Sequence, residues 1–231
     1  MLQWRPSVVA ARAADTPLNA DNKNGITDLM IAASRGELAR VQSLIEGGSD
    51  VNARDVFGHS ALMYAVSGGH AGVVEGLIDA GADLRAVNRN ALSAADLAKA
   101  KGHAAVGAML EQARLFLAAR DGDLETLNAL LDAGVNVHSL LQNEWTALMV
   151  ATLHNHPQVV AALLRRGAYV DAQNAAGWTA LMIAERKGHA EVERLLRGGA
   201  PERPPSPLLI LDPSSVKDDG TDPVNEPERL E

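Results

Sequence analysis

Histidine is the residue type through which this sequence comes nearest to chemistry. There are seven histidines and no cysteine, so thiolate nucleophiles, disulfides and thiolate metal sites are excluded. His154 and His156 form a His-x-His pair that supplies two nitrogens, but a zinc ion takes three or four convergent ligands and no third is placed beside them. His70, His103, His156 and His189 instead occupy one position of a longer pattern. The sequence has no GxxxxGK phosphate loop, no HExxH and no GxSxG, and no carboxylate pair stands apart from solvated helix faces. The expectation is a chain with no catalytic residue, no metal and no cofactor.

The elements that carry those histidines repeat. Gly25 and Gly58 lie 33 residues apart, Gly36, Gly69 and Gly102 keep the same step, and so do Gly48 with Gly81 and Gly134 with Gly167. Each unit reads as a short helix, a glycine turn and a second helix. Leu29, Leu62, Leu148 and Leu181 open the inner helices, and Ala32, Ala65, Ala98, Ala118, Ala151 and Ala184 follow one turn on, where a small side chain lets helices approach closely. Val41, Leu44 and Ile45, like Val74, Leu77 and Ile78, form an i, i+3, i+4 stripe that one unit alone cannot bury. Thr27, Ser60, Ser93, Thr146 and Thr179 stand where a hydroxyl caps the orphan amides of the inner helices. Gly48, Gly81, Gly134 and Gly167 follow the outer helices as left-handed stops.

The segments GITDLMIAASRGELARVQSLIEGGSDVNA, GHSALMYAVSGGHAGVVEGLIDAGADLRA and GWTALMIAERKGHAEVERLLRGGA resemble the ankyrin family in glycine, threonine, Gly-His and Gly-Ala-Asp turn positions. The resemblance runs over about residues 22 to 200. It implies an all-α solenoid of about six helix-turn-helix repeats with short β-hairpin fingers, a turn-stabilising hydrogen bond from the recurrent histidine, and protein partners docked on the concave side. The TPLH histidine of the family is replaced by Met63, Met149 and Met182, which removes a structural hydrogen bond.

A second period of 86 residues overlies the first. It takes Gly36 to Gly122, Leu62 to Leu148, His70 to His156 and Gly81 to Gly167. The array therefore reads as two blocks of three, residues 22–113 and 114–200, produced by internal duplication. One finger is missing between repeats three and four: a short connection at Glu111 to Arg114 is expected, leaving a gap in the finger row. The first copy of each block carries Gly36-Glu37 or Gly122-Asp123 in place of Gly-His.

Outside the array, residues 1–21 suggest an extension with a capping helix at Val8 to Ala14, anchored by Trp4. Residues 201–231 hold seven of the ten prolines and a net charge of −5 from three basic and eight acidic residues, the composition of a disordered tail. Its one apolar run is Leu208 to Leu211. The whole chain carries −8, which argues against nucleic acid, and no apolar run approaches the ~18 residues needed to cross a membrane. The reading is a cytoplasmic monomer, with a secreted or effector role as the alternative.

Binding then falls to the surface. The candidate partner-binding residues are Val56, Phe57, His59 and Ser67 in repeat two and Arg89 and Asn90 in repeat three. Repeat five contributes Trp145 and His154; repeat six contributes Trp178, Arg186 and Lys187. Val56 and Phe57 give the sharpest signal, being apolar at a hairpin tip. Trp145 and Trp178 read equally well as hairpin packing or as binding anchors. The favoured function is a protein-binding scaffold or adaptor; the alternative is a regulatory or inhibitory subunit that occludes an enzyme or toxin with its acidic tail.

Overall fold

The computed structural model describes residues 23–198. The expectations for a capping helix at Val8 to Ala14, for Trp4 and for the acidic tail lie outside the described residues.

Within them the chain forms α1 (Asp28–Arg35), α2 (Leu38–Glu46), α3 (Ala61–Ser67), α4 (Ala71–Asp79), α5 (Ala94–Lys101) and α6 (Ala104–Asp121). There follow α7 (Leu124–Asp132), a 3-10 turn at Gln142–Glu144, α8 (Ala147–Leu153), α9 (Pro157–Arg165), α10 (Ala180–Lys187) and α11 (Ala190–Gly198). No strand is formed among the described residues. The fingers are tight loops that hold isolated bridges at Val87 with Ser93 and at Leu140 with Thr146. All five hydroxyl residues cap as the sequence requires: the backbone N–H of Met30, Met63, Asp96, Met149 and Met182 donates to Thr27, Ser60, Ser93, Thr146 and Thr179.

The stack is held by a seam of histidines. In each, Nε2 reaches the backbone carbonyl 36 residues earlier, at the end of the preceding inner helix: His70 to Ser34 (3.0 Å), His103 to Ser67 (3.2 Å), His156 to Arg120 (2.8 Å) and His189 to Leu153 (3.4 Å). A carbonyl accepts, so Nε2 carries the proton. The rings of His70, His103 and His156 lie over Gly36, Gly69 and Gly122, where an added Cβ would stand 2.5, 2.8 and 2.6 Å from the nearest ring atom. Only glycine fits there, both for the ring and for φ near +70°.

The seam opens twice. Among the described residues nothing comes within 4 Å of a Cβ built on Gly102 or Gly188, so no described repeat covers the end of α5 or of α10. The outward faces beside these glycines are correspondingly polar. Asp96 and Lys99 replace the buried Met63 and Val66 of the repeat before, while Glu185, Glu193 and Arg197 replace Thr152, Val160 and Leu164. Arg197 binds Glu185 at 2.7 Å and Glu193 at 2.9 Å, so the second outward face is closed by an ion-pair cluster instead of apolar packing. Both are the outer faces of terminal repeats, which a stack needs for solubility.

Two cores correspond to these two ends. One joins Leu29, Leu62, Leu77 and Leu97 through to Leu110; the other joins Leu115 and Phe116 to Leu148, Leu163 and Leu196. The helices keep the 86-residue register throughout: α2, α3, α4 and α5 begin at 38, 61, 71 and 94, and α7, α8, α9 and α10 at 124, 147, 157 and 180.

The expected break at Glu111 to Arg114 does not exist. Residues 104–121 form one helix of 18 residues, because AMLEQARLFLAARD contains strong helix formers and no glycine or proline after Gly107. The first half of α6, with Val106 and Leu110, joins the first core as the outer helix of the first block; the second half, with Leu115 and Phe116, joins the second core, where α1 stands in the first, and α6 packs on both α4 and α8. A straight helix cannot reverse. Since α6 turns back along α5 after Gly102-His103, its second half runs opposite to α5, and the inner helices of the second block run opposite to those of the first. The correction is therefore an inversion of the second block, in place of a gap in a continuous row.

Candidate protein-binding surface

The fingers are built by one device. Asp55 Oδ1 accepts the N–H groups of Phe57 (2.9 Å) and His59 (2.7 Å), Asn88 Oδ1 those of Asn90 (2.9 Å) and Leu92 (3.0 Å), and Asn174 Oδ1 those of Ala176 and Trp178 (both 3.0 Å). The short polar side chain thus substitutes for backbone in closing a tight turn. Adjacent fingers are then tied by backbone bonds: Val56 N–H donates to Asn24 O, Arg89 N–H to Phe57 O and Ala175 N–H to Asn143 O, each at 2.9 Å. Between Asn90 and Gln142 no such rung is formed, as expected of two blocks running in opposite directions.

The finger preceding α8 departs from this device. Leu141 stands where Asp55 stands in the first block and Glu144 where Gly58 stands, so Asn143 and Glu144 take φ values of 58° and 61°. Side chains hold it from below: Gln112 Nε2 donates to Leu140 O (3.0 Å) and Gln142 Nε2 to Asp79 Oδ2 (3.0 Å). Arg85 also crosses the junction, 3.1 Å from Asp121 and 3.6 Å from Asp123. A small cleft of about 170 Å³ remains there among Arg85, Arg114, Leu117, Asp123 and Thr126.

These rules place every sequence candidate. Val56 and Phe57 project from the finger before α3, and Phe57 is 53% exposed. Arg89 and Asn90 are exposed on the next finger. His59 is half-buried and tied to the next finger: Asn88 Oδ1 is occupied by backbone donors, so Asn88 Nδ2 donates to His59 Nε2 (3.1 Å), and His59 Nδ1 is buried 3.6 Å from Asp55 Oδ2. Ser67 is half-buried and gives its carbonyl to His103.

In the second block Trp145 and Trp178 are half-buried against the core, and Arg186 lies 5.1 Å above the Trp178 ring. This is hairpin packing with an exposed edge. His154 is exposed beside His156, their ring centroids 6.4 Å apart; partial burial, then His156 and Arg120, hold its imidazole below the ordinary value. Lys187 is exposed.

The structure brings Val56, Phe57, Arg89 and Asn90 onto one edge, and Trp145, His154, Trp178, Arg186 and Lys187 onto the second block. The two groups belong to different blocks and are carried by different cores. Val87 and Leu92 share the first edge, 45% and 37% exposed. Arg54, exposed on the same finger as Phe57, was not signalled by the repeat pattern, because its type varies freely there. Among the described residues no group of three or more histidine or acidic side chains is placed to hold a metal.

A family model described as "Ankyrin repeats (3 copies)" matches residues 9–110 and again residues 115–202. The chain belongs to the ankyrin-repeat family. The interruption between the two matched segments falls inside α6, where the two cores also part. Ankyrin repeats generally mediate protein–protein interaction and are typically non-catalytic, and no helix among the described residues of this ankyrin chain is long and apolar enough to cross a membrane. No curated protein matches it significantly.

Proposed function

We propose that this chain is a monomeric, non-catalytic scaffold that binds a protein partner along the finger edge of its first block, with Phe57 as the central anchor. One observation carries the reading. Among the described residues, four of the seven exposed large apolar side chains, Val56, Phe57, Val87 and Leu92, sit on two adjacent fingers. Apolar residues clustered at loop tips, with the finger's own core already closed by Asp55 and Asn88, stay exposed even though the Phe57 ring leans on that of His59, 6.4 Å between centroids, and such clusters mark interaction sites. The edge of Trp178 with Arg186 and Lys187 forms a second, smaller surface on the inverted block, aimed elsewhere.

The reading is tested by placing a photo-reactive benzoylphenylalanine at position 57, at position 178 or at Gln42, an exposed residue of α2, in the full chain and cross-linking in a native extract. Adducts of one mass should form from position 57 and not from 42. Adducts that form from 42 while 57 stays silent would place the partner on the outer helices.

A further inference from the structure

We propose that the finger edge of the first block selects an acidic peptide segment that carries a large apolar side chain. The proposal rests on the finger-edge reading above and adds the chemistry of the occupant.

The charges point one way. Each of the first three fingers presents one exposed cation, Lys23, Arg54 and Arg89, and among the described residues none of the three is ion-paired. The carboxylate beside Arg54, Asp55, is 6% exposed and spent on the backbone N–H groups of its own finger and on the Tyr64 hydroxyl, which donates to it at 2.8 Å. In a chain of net charge −8, a row of unmatched cations is a departure from the surrounding surface. The fingertips of the second block show the opposite: Gln142, Asn143, Ala175 and Ala176 are neutral and Glu144 is acidic.

Geometry adds rigidity. The rungs from Val56 to Asn24 and from Arg89 to Phe57 fix the three fingers side by side, so that Phe57 and Val56 lie between the Lys23 and Arg89 fingers. A pre-ordered edge loses little entropy on binding. The apolar centre supplies affinity, while the flanking cations speed encounter and reject basic competitors. Carboxylates placed on either side of one apolar residue match that order.

The test uses the full chain and fluorescence anisotropy with a labelled octapeptide, Asp-Glu-Asp-Leu-Phe-Glu-Asp-Glu. Three variants accompany it: acids replaced by Asn and Gln, acids replaced by Lys, and Leu-Phe replaced by Ser-Ser. An eight-nucleotide oligo-dT serves as a fourth competitor. The acidic peptide should bind saturably, more weakly as salt rises, and about tenfold or more tighter than every other probe. Phe57→Ser should lower its affinity by about tenfold or more, and so should Lys23→Glu with Arg89→Glu; all three side chains are exposed, so circular dichroism should not change. Absence of saturable binding, tighter binding of the Lys peptide or of oligo-dT, or affinity and salt dependence unmoved by Lys23→Glu with Arg89→Glu would overturn the proposal. A neutral or basic peptide that binds and is lost in Phe57→Ser would sink the charge preference but leave the finger edge as the binding surface. Binding indifferent to Phe57→Ser would remove both.

Discussion

The His156 imidazole donates to the Arg120 carbonyl at 2.8 Å while its ring lies over Gly122. One side chain thereby ties the end of one inner helix to the start of the next outer helix, and the backbone beneath must have no Cβ. Gly122→Ala meets two penalties, a left-handed φ of +75°, worth about 1 to 2 kcal/mol, and displacement of the ring from its carbonyl, worth about 1 kcal/mol more. Gly102 has the same φ and no ring above it, so Gly102→Ala should show the first penalty alone. Urea melts of the two variants should differ by about 1 kcal/mol; equal losses would mean that the ring contact contributes nothing.

Asn155 occupies the seam position that is glycine elsewhere, at φ +58°, and the histidine above it makes the longest of the four bonds, 3.4 Å from His189 to Leu153. Asn155→Gly removes both the strained φ and the Cβ. It should stabilise the chain by about 0.5 to 1 kcal/mol, with a downfield shift of the His189 Nε2 proton as the bond shortens. Loss of stability would show that the asparagine side chain contributes something the geometry does not display.

Much of this was legible in the sequence, and the reason is that repetition turns weak local signals into strong ones. The hydroxyl caps, the inner-helix leucines and alanines, and the histidine row are each repeated, and each is found at its expected place. Helix α6 was not legible, because the same repetition suggested a turn that the local residues do not encode; Ala, Leu, Met, Glu, Gln, Arg and Phe from 108 to 120 carry no stop signal. The inversion of the second block follows from that continuity alone. On the surface, Phe57 could be read from the sequence because a large apolar residue at a fingertip has no partner in any register. The tie that holds His59 could not, since it depends on Asn88 of the next finger.

Beneath that finger, the hydrogen bond between Tyr64 and Asp55 moves the two titrations apart. Burial first, then the hydrogen bond to Asp55, push the Tyr64 phenol up to about 12 from its ordinary 10.0. A folded value above the unfolded one means that the stabilisation is fully present below pH 10 and is lost as pH rises toward 12. Asp55 has the opposite sense: burial raises it, but the Tyr64 hydroxyl and the His59 and Phe57 amides outweigh this and hold it below the usual carboxylate value, so its contribution is lost as pH falls below about 4. In a Tyr169→Phe background, ultraviolet titration should show the remaining phenolate forming near 12, and Asp55→Asn should bring it back toward 10. A transition already at 10 before that substitution would contradict the pairing.

Leu148 is 1% exposed in the second core, and Leu148→Ala should cost about 2 to 5 kcal/mol. Since the cores part between Leu110 and Leu115, amide exchange in this variant should quicken across α7 to α11 while α1 to α4 keep their protection. A uniform rise over both halves would mean that the two cores unfold as one.

The relation of the second block's surface to the finger edge of the first depends on α6 being one helix that carries the second block the other way. The chain has no cysteine, so Ala105→Cys with Asp121→Cys gives two spin labels at the two ends of that helix and nowhere else. An unbroken helix sets their backbone separation at about 24 Å, and double electron–electron resonance should return a single distance near that value. A distance near 10 Å, the spacing of two helices packed side by side, would show that the chain turns back at Glu111 to Arg114. In that case the two blocks would share one continuous face.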